Sequence, residues 1–533
     1  MKLFSKHPKG LGLLFFTEMA ERFSYYGMRS LFMLYLIAVF FNNDFSAQIY
    51  GSYSGLVYLT PLLGGWIASR YWGNRRSVIV GAIVMSVGHL LMFASACFVK
   101  QSIFTDPSLG GTIDANVDNT LSIFLMFTGL AVLIVGNGFF KPNLASMVGD
   151  LYPADELTDT RRDSAYTIYY MGVNVGAFLA PLICGFVSAD GNWMNPGAFK
   201  WAFLCSAIAM IIGLLVFVLF KNKMLVGADG KPVGLPPKTT VKDENTSQNE
   251  TVAKKSSPWM AIASLVLGIG LFILFSLNAT NFNDYITAIV YATTIALPVY
   301  IISDRNLTRG EKTKIGVIYI IVAFVIFFWA AYEQAGTSLT IFADRYCNRM
   351  IGSWEMPTAW FQTINPIAII VLAPVIAILW EKLAMRRLEP SSPVKQAIGL
   401  LILAIGYVVI AYGTHGMGEQ AKASMWWLVA LYVIHTIAEL CLSPIGQSLV
   451  YKLSPSRLVS LLMGVWFMSI STSNVLAGSF ATLLPQAGQA PKSLLGLEIT
   501  TLSEIFLIFA VMAGVASVIL FAICPMLKKM MKK

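Results

Sequence analysis

The chain has 533 residues and a net charge of +10, with 56% hydrophobic and only 12% charged residues and a mean hydropathy of +0.67. So little charge excludes a soluble globular protein, and apolar runs that are continuous rather than alternating exclude a β-barrel, leaving an all-α integral membrane protein. The positive charge does not point to nucleic acid, because Lys and Arg gather at the ends of apolar runs on one side, as the positive-inside rule requires of cytoplasmic loops.

In chain order, a basic start (Lys2, Lys6, Lys9) leads into a predicted helix over 11–41 and a tight outer turn at Asn42 to Asp44. Further helices are predicted over 46–68, 78–99, 120–148, 164–188 and 202–220. An acidic outer loop (Asp106, Asp114, Asp118) precedes the fourth, and an acid-rich inner loop, 150–163, follows it. Residues 221–257, rich in Lys, Asn, Thr, Ser and Pro, read as a cytoplasmic linker that buries no apolar surface. Two helices without buried charge follow over 259–277 and 284–302. Six more cover 315–333, 358–380, 395–413, 425–451, 458–484 and 501–524, and the chain ends on Lys528, Lys529, Lys532 and Lys533.

The organisation is thus an N-terminal six-helix bundle (1–220), a linker (221–257), two inserted transmembrane helices (258–303) and a C-terminal six-helix bundle (304–533). Fourteen spans arranged as six, two and six are the outline of a major-facilitator fold, whose substrate site lies between the halves near the midplane. The charge rule places both termini in the cytoplasm of a plasma (inner) membrane protein. The first run is too long for a cleavable leader and is retained as a helix. The cysteines (Cys97, Cys184, Cys205, Cys347, Cys441, Cys524) show no metal-ligand spacing, so no metal and no cofactor are expected.

The first helix contains charge where lipid should be. A charged side chain at the centre of a membrane helix costs about 2.5–3.5 kcal/mol. Yet Glu18, Arg22, Tyr25 and Arg29 recur at spacings of four, three and four, sharing one face, with Glu21 beside them. That face must look into protein or a watery cavity. The first half also carries Lys141, in its fourth helix. The second half carries Glu333 and Glu439, in its first and fourth helices, and no base. Facing halves therefore form a polarised cavity suited to a zwitterion. Its carboxylate would meet Arg22, Arg29 or Lys141, and its ammonium Glu439.

Aromatics surround these charges (Tyr25, Tyr26, Tyr58, Tyr170, Trp329, Trp466), as in a small-molecule pocket. Lys141-Pro142, Asn365-Pro366 and Ser443-Pro444 place a polar side chain before a mid-helix proline, where a freed carbonyl can line a cavity with it. The carboxylates also supply a coupling mechanism. A buried Glu without a partner takes up a proton, and the same Glu facing a base stays ionised. Glu18, Glu21, Arg22 and Lys141 can trade protons for salt bridges, with the proton as coupling ion.

At Glu18-Met-Ala-Glu-Arg-Phe-Ser-Tyr-Tyr-Gly27 the chain resembles the proton-dependent oligopeptide transporter (POT/PTR) family. The similarity continues at Phe140-Lys-Pro-Asn143, at 166–178 with Asn174-Val-Gly176, and at Phe328-Trp-Ala-Ala-Tyr-Glu-Gln-Ala-Gly336. It reaches Phe361-Gln-Thr-Ile-Asn-Pro366, Glu439-Leu-Cys-Leu-Ser-Pro444 and Met463-Gly-Val-Trp466. The resemblance implies proton-coupled uptake of di- and tripeptides. It implies that Arg22, Arg29 and Lys141 meet the peptide carboxylate and that Asn174, Asn365 and Glu439 meet its amino terminus. Tyr25, Tyr26, Tyr58, Tyr170, Trp329, Ser443 and Trp466 would line side-chain pockets, and Glu18, Glu21 and Glu333 would take part in proton coupling. A relative moving another zwitterion or anion, such as an amino acid or nitrate, is the alternative.

One departure stands in Gly65-Trp-Ile-Ala-Ser-Arg-Tyr-Trp-Gly-Asn-Arg-Arg76, a facilitator loop motif with Ser69 where an Asp is usual. An enzyme is not expected, because His89 and His435 lack partners at metal or triad spacing. The partners expected are peptides and the lipid bilayer, with one chain working as a monomer.

Overall fold

The computed structural model of the chain describes residues 7–100, 118–152, 156–192, 195–227, 230–236, 258–418, 421–455, 458–486, 489–494 and 496–532. The first half contains α1 (Lys9–Phe40), α2 (Asn43–Leu59), α3 (Pro61–Ile67), α4 (Asn74–Phe98), α5 (Thr120–Asp150), α6 (Glu156–Val187) and α7 (Lys200–Met224). The inserted pair is α8 (Pro258–Ser276) and α9 (Phe282–Ile302). The second half contains α10 (Arg309–Tyr332), α11 (Ser338–Arg345), α12 (Ile364–Met385), α13 (Ser392–Gly413), α14 (Met425–Leu453), α15 (Val459–Ala481) and α16 (Leu502–Met531). Among the described residues, twelve stretches are long and apolar enough to cross a membrane. The two remaining expected spans are α8 and the broken pair α2–α3.

Several boundaries differ from the sequence expectation, each for a local reason. The second span is not one helix. Pro61 has no N–H to give, so it opens a new helix, α3, and a π-turn over Ala68–Trp72 ends the stretch. The seventh span does not stop at Glu333. After α10 the chain tightens into a 3-10 turn, Glu333–Gly336, and resumes as α11. The eighth opens with a 3-10 stretch, Thr358–Thr363, so Asn365-Pro366 lies in the first turn of α12 rather than in mid-helix. A proline costs little there, because that N–H would have no intrahelical partner anyway. Pro142 and Pro444 are inside α5 and α14, as expected. Part of the expected inner loop 150–163 is helical, since α6 begins at Glu156. Asp106, Asp114 and most of the linker lie outside the described residues.

The start of the linker is not loose. α7 runs to Met224, and the following residues fold back on the first half through a bridge between Val226 and Pro232. Leu225 and Val233 are buried, and Gly234 beside them lies against Met147 and Arg75. The Arg75 guanidinium, in the loop motif, donates to the carbonyls of Leu225 and Val233, and its backbone N–H donates to Gly234 O at 2.9 Å. Ser69 only returns a hydrogen bond to Trp66 O on its own turn, at 3.0 Å. At this position the loop is tied by Arg75 to the linker rather than by an Asp.

Small residues let helices approach where the site requires it. α6 lies against α1 at Gly176, where a Cβ would come 2.5 Å from Met19 O. α2 lies against α15 at Gly51, where a Cβ would come 2.9 Å from the Gly478 Cα. α9 packs on this α2–α15 seam. Its Thr294 hydroxyl meets that of Thr472 at 2.6 Å, and Ile286 and Val290 cluster with Val475.

The halves are joined at the end away from the chain termini. There Lys492 pairs with Asp44 at 2.6 Å, Gln486 donates to Asp44 at 2.8 Å, and Trp360 Nε1 donates to Leu182 O at 3.2 Å. Nearer the middle, Ser471 donates to Gly55 O at 2.7 Å, and Arg29 pairs with Glu333.

Candidate functional site: a polarised cavity between the halves

The expected face of α1 exists and is buried. Glu21 has no exposed surface, and Glu18, Arg22 and Arg29 are all buried. Arg22 grips its neighbour Glu21 with two arms, Nε at 2.5 Å and Nη2 at 2.6 Å. Its Nε also lies 3.5 Å from Glu18, one turn back. Glu18 accepts a hydrogen bond from the Tyr169 hydroxyl on α6 at 2.6 Å. One guanidinium thus serves two carboxylates, and the trio carries one excess negative charge when all three are ionised.

Arg29, two turns further along α1, turns to the other half. Its Nη2 pairs with Glu333 in the 3-10 turn after α10, and its Nε donates to the Tyr50 hydroxyl at 2.7 Å. The break between α10 and α11 is what brings Glu333 to that point. Tyr25 lies between the two arginines, its ring centre 5.0 Å from the Arg22 guanidinium and 5.9 Å from that of Arg29. Tyr26 stands edge-on to Tyr25 and 6.0 Å from Arg22. Such contacts place cations over aromatic faces.

Lys141, before Pro142 in α5, forms no ion pair within 4 Å among the described residues. Its ammonium sits 4.1 Å over the Tyr58 ring. On the facing half, Glu439 of α14 is met, among the described residues, by two neutral donors, the Tyr332 hydroxyl at 2.6 Å and the Asn365 amide at 2.9 Å. Ser443 follows one turn later on the same face, half-buried, before Pro444. Tyr170 is half exposed, on the side of α6 nearest Tyr26 and Glu439. Asn174, one turn on, donates its amide to Tyr170 O at 3.0 Å, which leaves its side-chain oxygen as acceptor.

The two tryptophans differ from one another. Trp329 meets Tyr332 edge-on at 5.1 Å, next to Glu439's donors. Trp466 has no exposed surface. Its ring is laid on Gly446, where a Cβ would come 2.1 Å from it, so in this structure it packs α15 on α14 rather than forming an open pocket wall. Both indole N–H groups lack a hydrogen-bond partner.

Four partners were not singled out from the sequence: Tyr50, Tyr169, Tyr332 and Thr436. Tyr169 and Tyr332 fall inside the quoted stretches, beside Tyr170 and between Trp329 and Glu333, and a polar ring one residue from a site residue is a usable signal. Tyr50 and Thr436 carry none.

Two bundles enclosing paired and unpaired intramembrane charge define a secondary transporter of the major-facilitator type. The chain belongs to the POT family, whose model matches residues 75–495. It is similar to peptide transporter YePEPT of Yersinia enterocolitica subsp. palearctica serotype O:3 (strain YE-P4), 32% identical, with 90% of this chain and 88% of that one covered. It is also similar to a di-/tripeptide transporter of Lactococcus lactis subsp. cremoris, 28% identical, with 91% of each covered. Among solved structures it is similar to the crystal structure of peptide transporter POT in complex with sulfate. That match has a TM-score of 0.76 at 29% identity, over 99% of this chain and 97% of that one. A POT family transporter in complex with 5-aminolevulinic acid matches with a TM-score of 0.75 at 28% identity, over 98% of each chain.

Proposed function

We propose that the chain is a proton-coupled symporter that imports di- and tripeptides by alternating access. The observation that carries this reading is the separation of charge. Arg22, Arg29 and Lys141 stand on one wall, and Glu439, held by neutral donors, stands on the other. A short peptide is a zwitterion whose two ends require those two walls. Relatives named as peptide and di-/tripeptide transporters support the same substrate class.

Lys141, without an ion pair, receives the peptide carboxylate first; Arg22 and Arg29 can join when their own carboxylates are protonated. Glu439, Asn365 and Asn174 receive the ammonium. Tyr25, Tyr26, Tyr58, Tyr170, Trp329 and Ser443 shape the space between, with Trp466 packed behind. Four intramembrane carboxylates (Glu18, Glu21 and Glu333 buried, Glu439 half-buried) face three bases (Arg22, Arg29, Lys141). Burial penalises an uncompensated charge, so the cluster favours one added positive charge, a proton or a peptide ammonium. A proton on Glu333 releases Arg29 and loosens the joined end. One charge crossing 100 mV supplies about 2.3 kcal/mol, enough for roughly forty-fold accumulation of a neutral zwitterion.

In this reading the moving bodies are residues 1–220 and 304–533, with the inserted helices of 258–303 carried against the α2–α15 seam. Both termini lie in the cytoplasm of the plasma (inner) membrane, and the joined end is the outer gate. One chain acts alone, since it supplies both walls. In proteoliposomes an imposed inward proton gradient is expected to drive di-alanine uptake above equilibrium, and a protonophore to abolish it. Uptake indifferent to the gradient would overturn proton coupling, and no uptake would overturn the peptide reading.

A further inference from the structure

Among the described residues Glu439 has no charged partner, and both hydrogen bonds it accepts go to one oxygen. The Tyr332 hydroxyl and the Asn365 amide donate to Oε2, at 2.6 and 2.9 Å, and Oε1 accepts none. The Asn365 amide also reaches the Tyr332 oxygen at 2.5 Å and Thr436 Oγ1 at 3.1 Å. The amide nitrogen has two hydrogens for these three acceptors, so two of the contacts share one of them. An ionised carboxylate only accepts, so the amide must present Nδ2 and the phenol must give its proton to Glu439.

Tyr332 is well placed to fix that geometry. It is the last residue of α10. Its ring stacks on Phe328 at 5.7 Å, meets Trp329 edge-on at 5.1 Å and lies 6.1 Å from the His435 ring. A ring held by three others delivers its hydroxyl to one place with little further loss of rotamer freedom.

We infer that Tyr332, backed by Asn365, is the positioning residue of the amino-terminal site: it holds Oε2 of Glu439 so that Oε1 is presented to the peptide ammonium. The inference rests on the peptide reading above. A hydrogen bond to a charged group is worth about ten- to a hundredfold in an equilibrium constant.

The test is the Kd of the purified full chain for alanyl-alanine and for its N-acetylated form, which keeps the carboxylate and lacks the ammonium. It is measured for wild type, Tyr332→Phe, Glu439→Gln and the double variant. Tyr332→Phe is expected to weaken the free dipeptide about tenfold and the acetylated one by less than about twofold. On the Glu439→Gln background it should add no further loss, because the two residues act through one interaction. Tyr332→Met, which also removes the hydroxyl, is expected to show the same selective loss and serves should Tyr332→Phe not fold. Equal weakening of both peptides, no weakening, or a loss that persists without Glu439 would overturn the inference. A wild type that binds neither peptide would instead overturn the peptide reading, and this inference with it.

Discussion

The two walls of the cavity hold the same residue type in opposite ways. On the first half, Glu21 is gripped by both arms of Arg22, and Glu18 shares that arginine and takes a hydroxyl from Tyr169. On the second half, Glu439 is held by a phenol and an amide and meets no base. A carboxylate that shares a base with its neighbour can exchange that base for a proton and leave no charge stranded. A carboxylate held by neutral donors keeps an acceptor for a cation arriving from outside. In the proposed reading, neighbours rather than residue type separate a proton switch from an ammonium receptor.

The largest expected effect is at the pair that joins the walls. Removing one partner of a buried ion pair strands the other at a cost of about 3–5 kcal/mol. Arg29→Ala and Glu333→Ala should each abolish gradient-driven uptake in proteoliposomes and lower the Tm. Arg29→Gln with Glu333→Gln should recover much of the Tm but not the uptake. Normal uptake by either single variant would break the comparison at its centre.

Next comes the receptor wall. Glu439→Gln should weaken free-amino dipeptides by about 1.5–3 kcal/mol in competition binding, since a charged acceptor is lost. It should leave N-acetylated dipeptides nearly unaffected. Equal loss for both would assign Glu439 to packing instead of recognition.

Smaller effects test what stands behind the walls. Gly446→Ala puts a methyl group against the Trp466 ring, and overpacking costs about 1–3 kcal/mol. A lower Tm with unchanged preference among dipeptides is expected. A changed preference would return Trp466 to the pocket. Gly73→Ala puts a side chain at φ 73, facing Leu235 and Pro236. It should cost about 1–2 kcal/mol of stability, read from the Tm, with dipeptide Kd unmoved, because the linker clip lies away from both walls.

The helical membrane architecture and the charged face of α1 were plain in the sequence, because a 3.6-residue period and the cost of intramembrane charge are properties of single segments. What crosses between segments was less legible. Spacing puts Arg29 on a face but does not say that Glu333 will meet it, since that depends on a break after Tyr332. Asn365-Pro366 reads like Lys141-Pro142, yet one opens a helix and the other interrupts one. The docked start of the linker rests on Leu225, Val233 and Arg75, too few residues to alter the polar composition of 221–257.

One measurement addresses the difference between the walls most directly: Glu21→Gln and Glu439→Gln compared in the same proteoliposomes, for gradient-driven accumulation and for exchange of labelled against unlabelled di-alanine without a gradient. Glu21→Gln is expected to lose accumulation and keep exchange, because the switch is disabled and the receptor intact. Glu439→Gln is expected to lose both at low peptide concentration. If both variants lose the same activity, or if Glu21→Gln accumulates peptide as wild type does, the division into a switching wall and a binding wall is contradicted.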